Sequence, residues 1–400
     1  MRRHLLPALL AAALVGAALT GGAAYAREVE SRYIHVLAPL QFPQKNQGAA
    51  LQDEAFQQPD LLPIYGSSEL NIPDPYHASQ VFKNYPSGFT IFPVGKAGTT
   101  SLMILQNVAA VGSDLRGKKV AISLSAPWFF HGGLGADSYA GNFSRLHAGE
   151  LAFSTDLSFG VKQAAARRML QYPGTLDKDP LLRFALERLA DGSPASRVLY
   201  HAALPLGKLQ NLVLELQDHW ETLAFIRKQR RLDPTVPHRP APLDWSGLLV
   251  KAATEQRQHA DNNPFGFDNQ IWSRRLRAEV SRQRKIRTDA QFLRNLGDAQ
   301  EWRDLDLLLR GLRDLGAEPL ILSMPIQGAY YDYTGVTPRA RREYYDHLRQ
   351  VVKPYRVPER DFAVHDGDKF FLIDSGAHLS RKGWIYYDEA LDAFYQGTLR

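Results

Sequence analysis

Two short stretches near opposite ends of the chain hold side-chain types that together can do acyl chemistry. The first is LLPIYGSSELN at 61–71, where an apolar run ends in Gly66 and is followed by Ser67, Ser68 and an acid. The second is KFFLIDSGAHLSRKGW at 369–384, which holds Asp374 and His378. A serine hydroxyl is a weak nucleophile until a base takes its proton, and an imidazole needs a third group to orient it for that task. Ser67 or Ser68 with His378 and Asp374 supplies all three parts. A plain Gly-Ser turn and a hydrogen-bonded loop histidine are the simpler alternatives, and the residues by themselves leave open which serine would react. The G-x-S-x-G elbow of α/β-hydrolases is absent.

Other chemistries are poorly served. The chain has no cysteine, which excludes a thiol nucleophile, a disulfide framework and any cysteine-based metal site. No HExxH or similar ligand spacing occurs, so neither a metal nor a cofactor is expected. GSDLRGKK at 112–119 begins like a phosphate-binding loop, but Lys119 stands where Ser or Thr is required, and a strand follows rather than a helix. Among the remaining histidines, His131 in PWFFHGG follows a strand and could line the same crevice. His147, His201 and His219 read as helix-surface or packing residues.

The elements that must position Ser68 and His378 can be read from periodicity. Apolar runs at 61–66, 89–95, 118–125 and 317–325 predict strands. Thr99, Thr100 or Ser101 opens a helix presenting Leu102, Leu105, Val108 and Ala109. Trp302, Leu305, Leu308, Leu309, Leu312 and Leu315 predict a second helix, ended by Gly316. A last helix carries Tyr386, Tyr387, Ala390, Leu391 and Phe394. Strand, helix and strand at this rhythm give an α/β fold, a parallel sheet with helices on both faces, whose reactive groups gather at the carboxyl ends of the strands. The region 145–300 reads as a mostly helical insertion that packs on the sheet and roofs the site. Its clearest signal is the stripe Leu209, Leu212, Val213, Leu216, Trp220 and Leu223.

The composition is that of a globular chain: 400 residues, 44% hydrophobic, 22% charged, net charge +6. Basic runs at 227–231, 273–277 and 282–287 suit phosphates, anionic lipid heads or an acidic polymer, or are simply solvated helix faces. No nucleic-acid-binding motif accompanies them, so nucleic acid is not an expected partner. Arg2 and Arg3 precede an uncharged Ala/Leu-rich run at 5–26 that ends in Ala24-Tyr25-Ala26. The segment 1–26 therefore reads as a single membrane anchor or a cleaved signal segment. Either leaves the rest of the chain outside the cytoplasm by the positive-inside rule. The polar, Gln-rich stretch 27–60 reads as a stalk.

Taken in order, these motifs resemble the DltD family: Y-G-S-S-E-L at 65–70, G-x-x-G-x-T at 95–100, S-x-x-W-F at 125–129 and L-Q-Y-P at 170–173. Phe265-Gly266 with Trp272, P-x-x-G-x-Y-Y-D at 325–332 and H-L-x-x-K-G-W-x-Y-x-D at 378–388 complete the set. The resemblance implies a three-layer α/β/α, SGNH-hydrolase-like (flavodoxin-like) domain over 61–400, held at the cell membrane and required for D-alanylation of teichoic acids. It implies that Ser68 is the nucleophile and His378 the base. The oxyanion site and crevice would be built around Gly66, Gly95 or Gly98, and Trp128. Two departures stand out. The family's acid lies three residues before the histidine, whereas Asp374 lies four before, so either the loop bulges or the acid comes from elsewhere. The family's S-P-x-W-F is here Ser125-Ala126-Pro127-Trp128-Phe129. The implied activity is extracytoplasmic O-acyl transfer of D-alanyl groups to a cell-envelope polymer through a serine acyl-enzyme. The implied partners are that polymer and the membrane-bound O-acyltransferase of the D-alanylation system. A D-alanyl esterase or thioesterase, or a non-catalytic protein that docks an acyl carrier or transporter, are the alternatives.

Overall fold

Near-continuous apolar runs make strands that are covered on both faces. In the computed structural model, which describes residues 2–229, 243–376 and 378–399, they are Leu61–Gly66 (β1), Thr90–Gly95 (β2), Lys119–Leu124 (β3) and Glu318–Ser323 (β4). A two-residue edge strand, Glu359–Arg360 (β5), completes the sheet. The order is β2-β1-β3-β4-β5 and every pairing is parallel. The first four strands fall within a residue or two of the runs read from the sequence. β5 was not foreseen, because two charged residues carry no apolar period.

Successive side chains of a strand point to opposite faces, and the sheet separates two cores accordingly. Tyr65, Phe92, Val120, Ile122 and Ile321 enter one, and Leu62, Ile64, Ile91, Ala121 and Leu320 enter the other. The helices Ser101–Val111 and Glu301–Leu315 cover the first face with Leu102, Leu105, Leu305 and Leu308. Ala78–Asn84, Trp245–His259 and Arg381–Tyr395 cover the second with Phe82, Ala252, Trp384 and Leu391. The fold is therefore a three-layer α/β/α arrangement of the SGNH-like type. The N-terminus of Ser101–Val111 is capped from far away: Glu301 Oε1 accepts the Ser101 N–H at 2.9 Å, and no cap bond comes from Thr100. Gly316 ends Glu301–Leu315 in the left-handed conformation (φ 73°), which glycine adopts without a Cβ clash.

The connection after β1 runs to one side of it, to β2, whereas β3 lies on the other. The carboxyl ends of β1 and β3 therefore flank the crevice where parallel sheets bind ligands. Between β3 and β4 the described residues form helices and turns and no strand.

Two sequence expectations need correction. The stretch 27–60 is not a stalk. The helix Arg2–Leu37 buries Ile34 and Leu37 in the first core, and Phe42, Leu51, Ala55 and Phe56 follow them there. Its polar residues are hydrogen-bonded inside the fold, which is why composition misled: Lys45 Nζ donates to the carbonyls of Ala38 and Leu40, and Tyr65 donates its hydroxyl to Gln52. The second correction concerns the helix Pro194–Lys228. Of the stripe Leu209 to Leu223, only Leu223 is buried; Leu209, Leu212, Val213 and Trp220 face outward. The inward face is small and polar instead, with Ala203, Gly207, Asn211, Asp218 and Thr222. A Cβ on Gly207 would lie 2.3 Å from the Phe153 ring, so close approach and hydrogen bonding seat the middle of this helix, while Tyr200 and Ile226 add apolar burial toward its ends.

Of the basic run 227–231, Arg230 and Arg231 lie outside the described residues. Among the described residues no helix is long and apolar enough to cross a membrane.

Candidate active site

β1 ends at Gly66, paired with Gly95 at the end of β2. Both positions are crowded. A Cβ on Gly66 would lie 2.3 Å from Glu69 Oε1, and one on Gly95 would lie 2.8 Å from the Gly66 carbonyl oxygen. Only glycine lets the two strand ends and the following turn lie this close. The chain then turns through Ser67 into a 3₁₀ turn, Ser68–Asn71.

The two hydroxyls take different places. Ser67 is buried (3% exposed), and its Oγ donates to the Lys96 carbonyl at 3.3 Å. Its N–H donates to Glu69 Oε1 at 2.9 Å. Ser68 is half-buried, with Oγ 2.8 Å from His378 Nε2. His378 Nδ1 lies 2.6 Å from Asp374 Oδ2, and Asp374 is 3% exposed. With Nδ1–H donating to the Asp374 carboxylate, Nε2 is left to accept the Ser68 proton, the arrangement a serine nucleophile needs.

The four-residue spacing of Asp374 and His378 has a local explanation. Leu372 and Leu379 form an antiparallel bridge, and the Ile373 N–H donates to the His378 carbonyl at 2.9 Å. Residues 371–373 thus run back alongside 378–380, and Asp374 and His378 face each other. Asp374 Oδ1 also accepts the Gly376 N–H at 2.9 Å, which holds the carboxylate in place.

Burial pushes the His378 pKa down. The Asp374 hydrogen bond and charge, with Glu69 adding, outweigh it, and the net direction is upward from the ordinary imidazole value despite opposition from Arg275. A histidine acting as base must be neutral. Activity is therefore expected to rise with pH along a limb centred above the ordinary value of about 6.5. A kcat/KM profile centred at or below that value would contradict the ion pair. The stability linkage has the opposite sense: a raised folded pKa stabilises below the unfolded pKa, and that contribution is lost as pH rises through the folded one.

The other sequence candidates are placed less centrally. The Gly95 N–H is already donated to Asn46 Oδ1 at 3.0 Å, so it is committed to the fold rather than aimed at a substrate. Gly98 adopts φ 82° and packs against Ser138. Trp128 lies in the 3₁₀ turn Ala126–Phe129 after β3, partly buried against the first core. His131 is bonded to Tyr331 Oη (3.0 Å) and Arg287 (3.2 Å) and to no member of the Ser68 group. Burial and Arg287 push its pKa down to about 4. It lines a separate cavity of about 630 Å³ with Phe130, Arg287 and Phe292. His147 is a buried packing residue against the Gly48 carbonyl, and His219 pairs with Glu30 at 2.9 Å. Among the described residues no three His, Asp or Glu side chains are grouped to hold a metal ion.

Sequence reasoning missed Glu69, Asn46 and Asn71. Burial raises the Glu69 pKa, and its carboxyl pins the turn through the Ser67 N–H. Asn71 Nδ2 donates to the Gly95 carbonyl at 2.5 Å. The acid directly after the serines was a visible signal; Asn46 had none, because its segment was read as lying outside the fold.

Comparison with known proteins bears on the whole domain. The model of the family described as "DltD protein" matches residues 40–396. Protein DltD of Bacillus subtilis is 31% identical over 88% of this chain and 87% of its own length. Protein DltD of Staphylococcus aureus is 26% identical over 88% and 85%. Protein DltD of Lacticaseibacillus rhamnosus is 24% identical over 88% and 81%.

Proposed function

This chain belongs to the DltD family, whose members act in the D-alanylation of teichoic acids, and we propose that it does so as a serine acyltransferase. The observation that carries this reading is the Ser68–His378–Asp374 chain of hydrogen bonds, 2.8 and 2.6 Å long, at the carboxyl end of β1.

Ser68 Oγ attacks the carbonyl carbon of a D-alanyl ester or thioester, and its proton passes to His378 Nε2. Asp374 stabilises the imidazolium so formed. The Ser67 and Glu69 N–H groups turn to the Glu69 carboxyl, so the Ser68 N–H at the start of the 3₁₀ turn is the donor proposed to meet the oxyanion. Collapse of the intermediate breaks the bond to the carrier, and the leaving group takes the proton from Nε2. A polymer hydroxyl then attacks the D-alanyl-Ser68 ester, giving its proton to Nε2. Ser68 Oγ leaves and regains a proton, so the enzyme ends as it began. Arg275, whose charge acts on His378, belongs to the basic run 273–277, and that positive charge would attract an anionic acceptor. The donor would come from the membrane-bound O-acyltransferase of the D-alanylation system, and the N-terminal segment would hold the domain outside the membrane. Each D-alanyl ester adds an ammonium to the polymer and so weakens its attraction for cationic peptides.

The test is a D-alanyl donor incubated with the protein, with and without acceptor polymer, read by mass spectrometry. The expected result is a D-alanyl ester on the peptide containing Ser68, discharged onto polymer in preference to water. Discharge to water alone would make the protein an esterase. Donor binding with no adduct and no turnover would make it a docking protein.

A further inference from the structure

The outward face of the helix Pro194–Lys228 is unusual for a protein surface. Leu199, Leu206, Val213 and Trp220 recur at seven-residue intervals, with Leu209 and Leu216 between them. Leu206, Leu209, Val213 and Trp220 are all more than half exposed, at 60%, 58%, 56% and 55%. No charged side chain falls on this face from Leu199 to Trp220; Lys208 and Gln217 flank it. At 1.5 Å per residue the stripe is about 30 Å long, longer than the isolated apolar spots ordinary surfaces carry.

What covers it is indicated by where it begins. Trp220 stands where the N-terminal helix leaves the body of the protein: a Cβ on Gly22 would lie 3.8 Å from its indole ring, whereas one on Gly16 or Gly21 would meet nothing. One step further into the fold, His219 pairs with Glu30. The departing helix also exposes apolar residues, Leu10, Leu14, Leu19 and Tyr25. Exposed cations, Arg27, Arg227 and Lys228, lie close in sequence to this junction. Aromatic rings and cations where an uncharged helix emerges are the pattern of a membrane–water boundary.

We infer that the outward face of Pro194–Lys228 lies on the lipid surface, its apolar stripe immersed at the level of the acyl chains. The domain then has two points of membrane attachment, the N-terminal segment and this helix, and cannot swing freely. The reading rests on the membrane placement of the N-terminal segment proposed above. Its consequence is a Ser68 crevice held in a set orientation to the bilayer.

The absence of native cysteine permits a direct test. Full-length protein carrying Leu206→Cys, Val213→Cys, Leu14→Cys or Lys251→Cys is labelled with a nitrobenzoxadiazole dye. Each is reconstituted into phosphatidylcholine–phosphatidylglycerol vesicles with nitroxide on the acyl chains. Lys251, exposed on a helix that covers the opposite face of the sheet, is the aqueous reference. The expected result is blue-shifted emission at positions 206 and 213, with lipid quenching several-fold stronger than at 251. Quenching at 14 but not at 206 and 213 overturns the proposal and leaves the anchor standing. Quenching at 206 and 213 but not at 14 supports the lipid contact of this helix, overturns the anchor and with it the two-point attachment. A blue shift without lipid quenching means that a second copy or another protein covers the face, and the proposal fails.

Discussion

Cells whose only copy of this protein carries Ser68→Ala are expected to lose its share of envelope D-alanine esters. Turnover of the purified variant should fall by on the order of 10⁴-fold or more, the loss typical when a serine nucleophile is removed. The reason is specific to the oxygen. Ser68 Oγ is the atom 2.8 Å from His378 Nε2, and the neighbouring Ser67 cannot replace it, because that hydroxyl is buried and turned to the Lys96 carbonyl. The fold should survive. Ser68 is half-buried, and removing one hydroxyl with one hydrogen bond costs about 1 kcal/mol. Ser67→Ala is the internal control: it retains the nucleophile and loses only a supporting bond. Unchanged D-alanine ester content in cells with folded Ser68→Ala protein would sink the acyl-enzyme.

Asp374→Asn is the second large effect. The variant keeps the size of the side chain and an oxygen for the Gly376 N–H. What changes is the partner of His378 Nδ1. When the amide N–H points at Nδ1, that nitrogen must accept, the ring proton moves to Nε2, and Nε2 can no longer accept the Ser68 proton. Turnover should fall by about 10⁴-fold, the magnitude expected for a wrong tautomer, with little change in KM. The acid limb of the pH profile should move down, since the Asp374 hydrogen bond and charge are what raise the imidazole pKa against burial. Wild-type turnover in this variant would mean that the orienting acid lies elsewhere, despite the 2.6 Å contact.

This second variant also marks how far the sequence could be read. Asp374 and His378 were visible as a pair, but their spacing alone did not decide whether the acid reaches the imidazole. The answer lies in the pairing of 371–373 with 378–380, where the Leu372–Leu379 bridge and the Ile373-to-His378 bond set the two side chains face to face. Such a loop is held by backbone hydrogen bonds that carry no residue signature. Residue types alone left Ser67 and Ser68 open in the same way, and only the family resemblance pointed to Ser68. Adjacent residues in a turn point in different directions, and the direction depends on φ and ψ rather than on the shared side-chain type.

The apolar period of the Leu209 stripe illustrates the opposite error. Period identifies a helix and its two faces, but it cannot say which face meets the protein and which meets something outside it. Here the inner face is built from Gly207, Asn211, Asp218 and Thr222, with Asp218 accepting the N–H groups of Ala49 and Ala50. Those contacts join segments far apart in the chain, and no local pattern announces them. The stretch 27–60 was misread for the same reason: its polar residues find partners only once the chain has folded.

The sequence by itself determined the four long strands of the sheet, three of the helices that cover it and the two stretches that could carry acyl chemistry, because each depends on local period and residue type. Tertiary structure alone decided which serine faces the imidazole, how Asp374 reaches it, that Asn46 takes the Gly95 N–H, and which side of Pro194–Lys228 is left exposed. Those outcomes depend on contacts between distant segments, and such contacts form only when burial and backbone hydrogen bonding have brought the segments together.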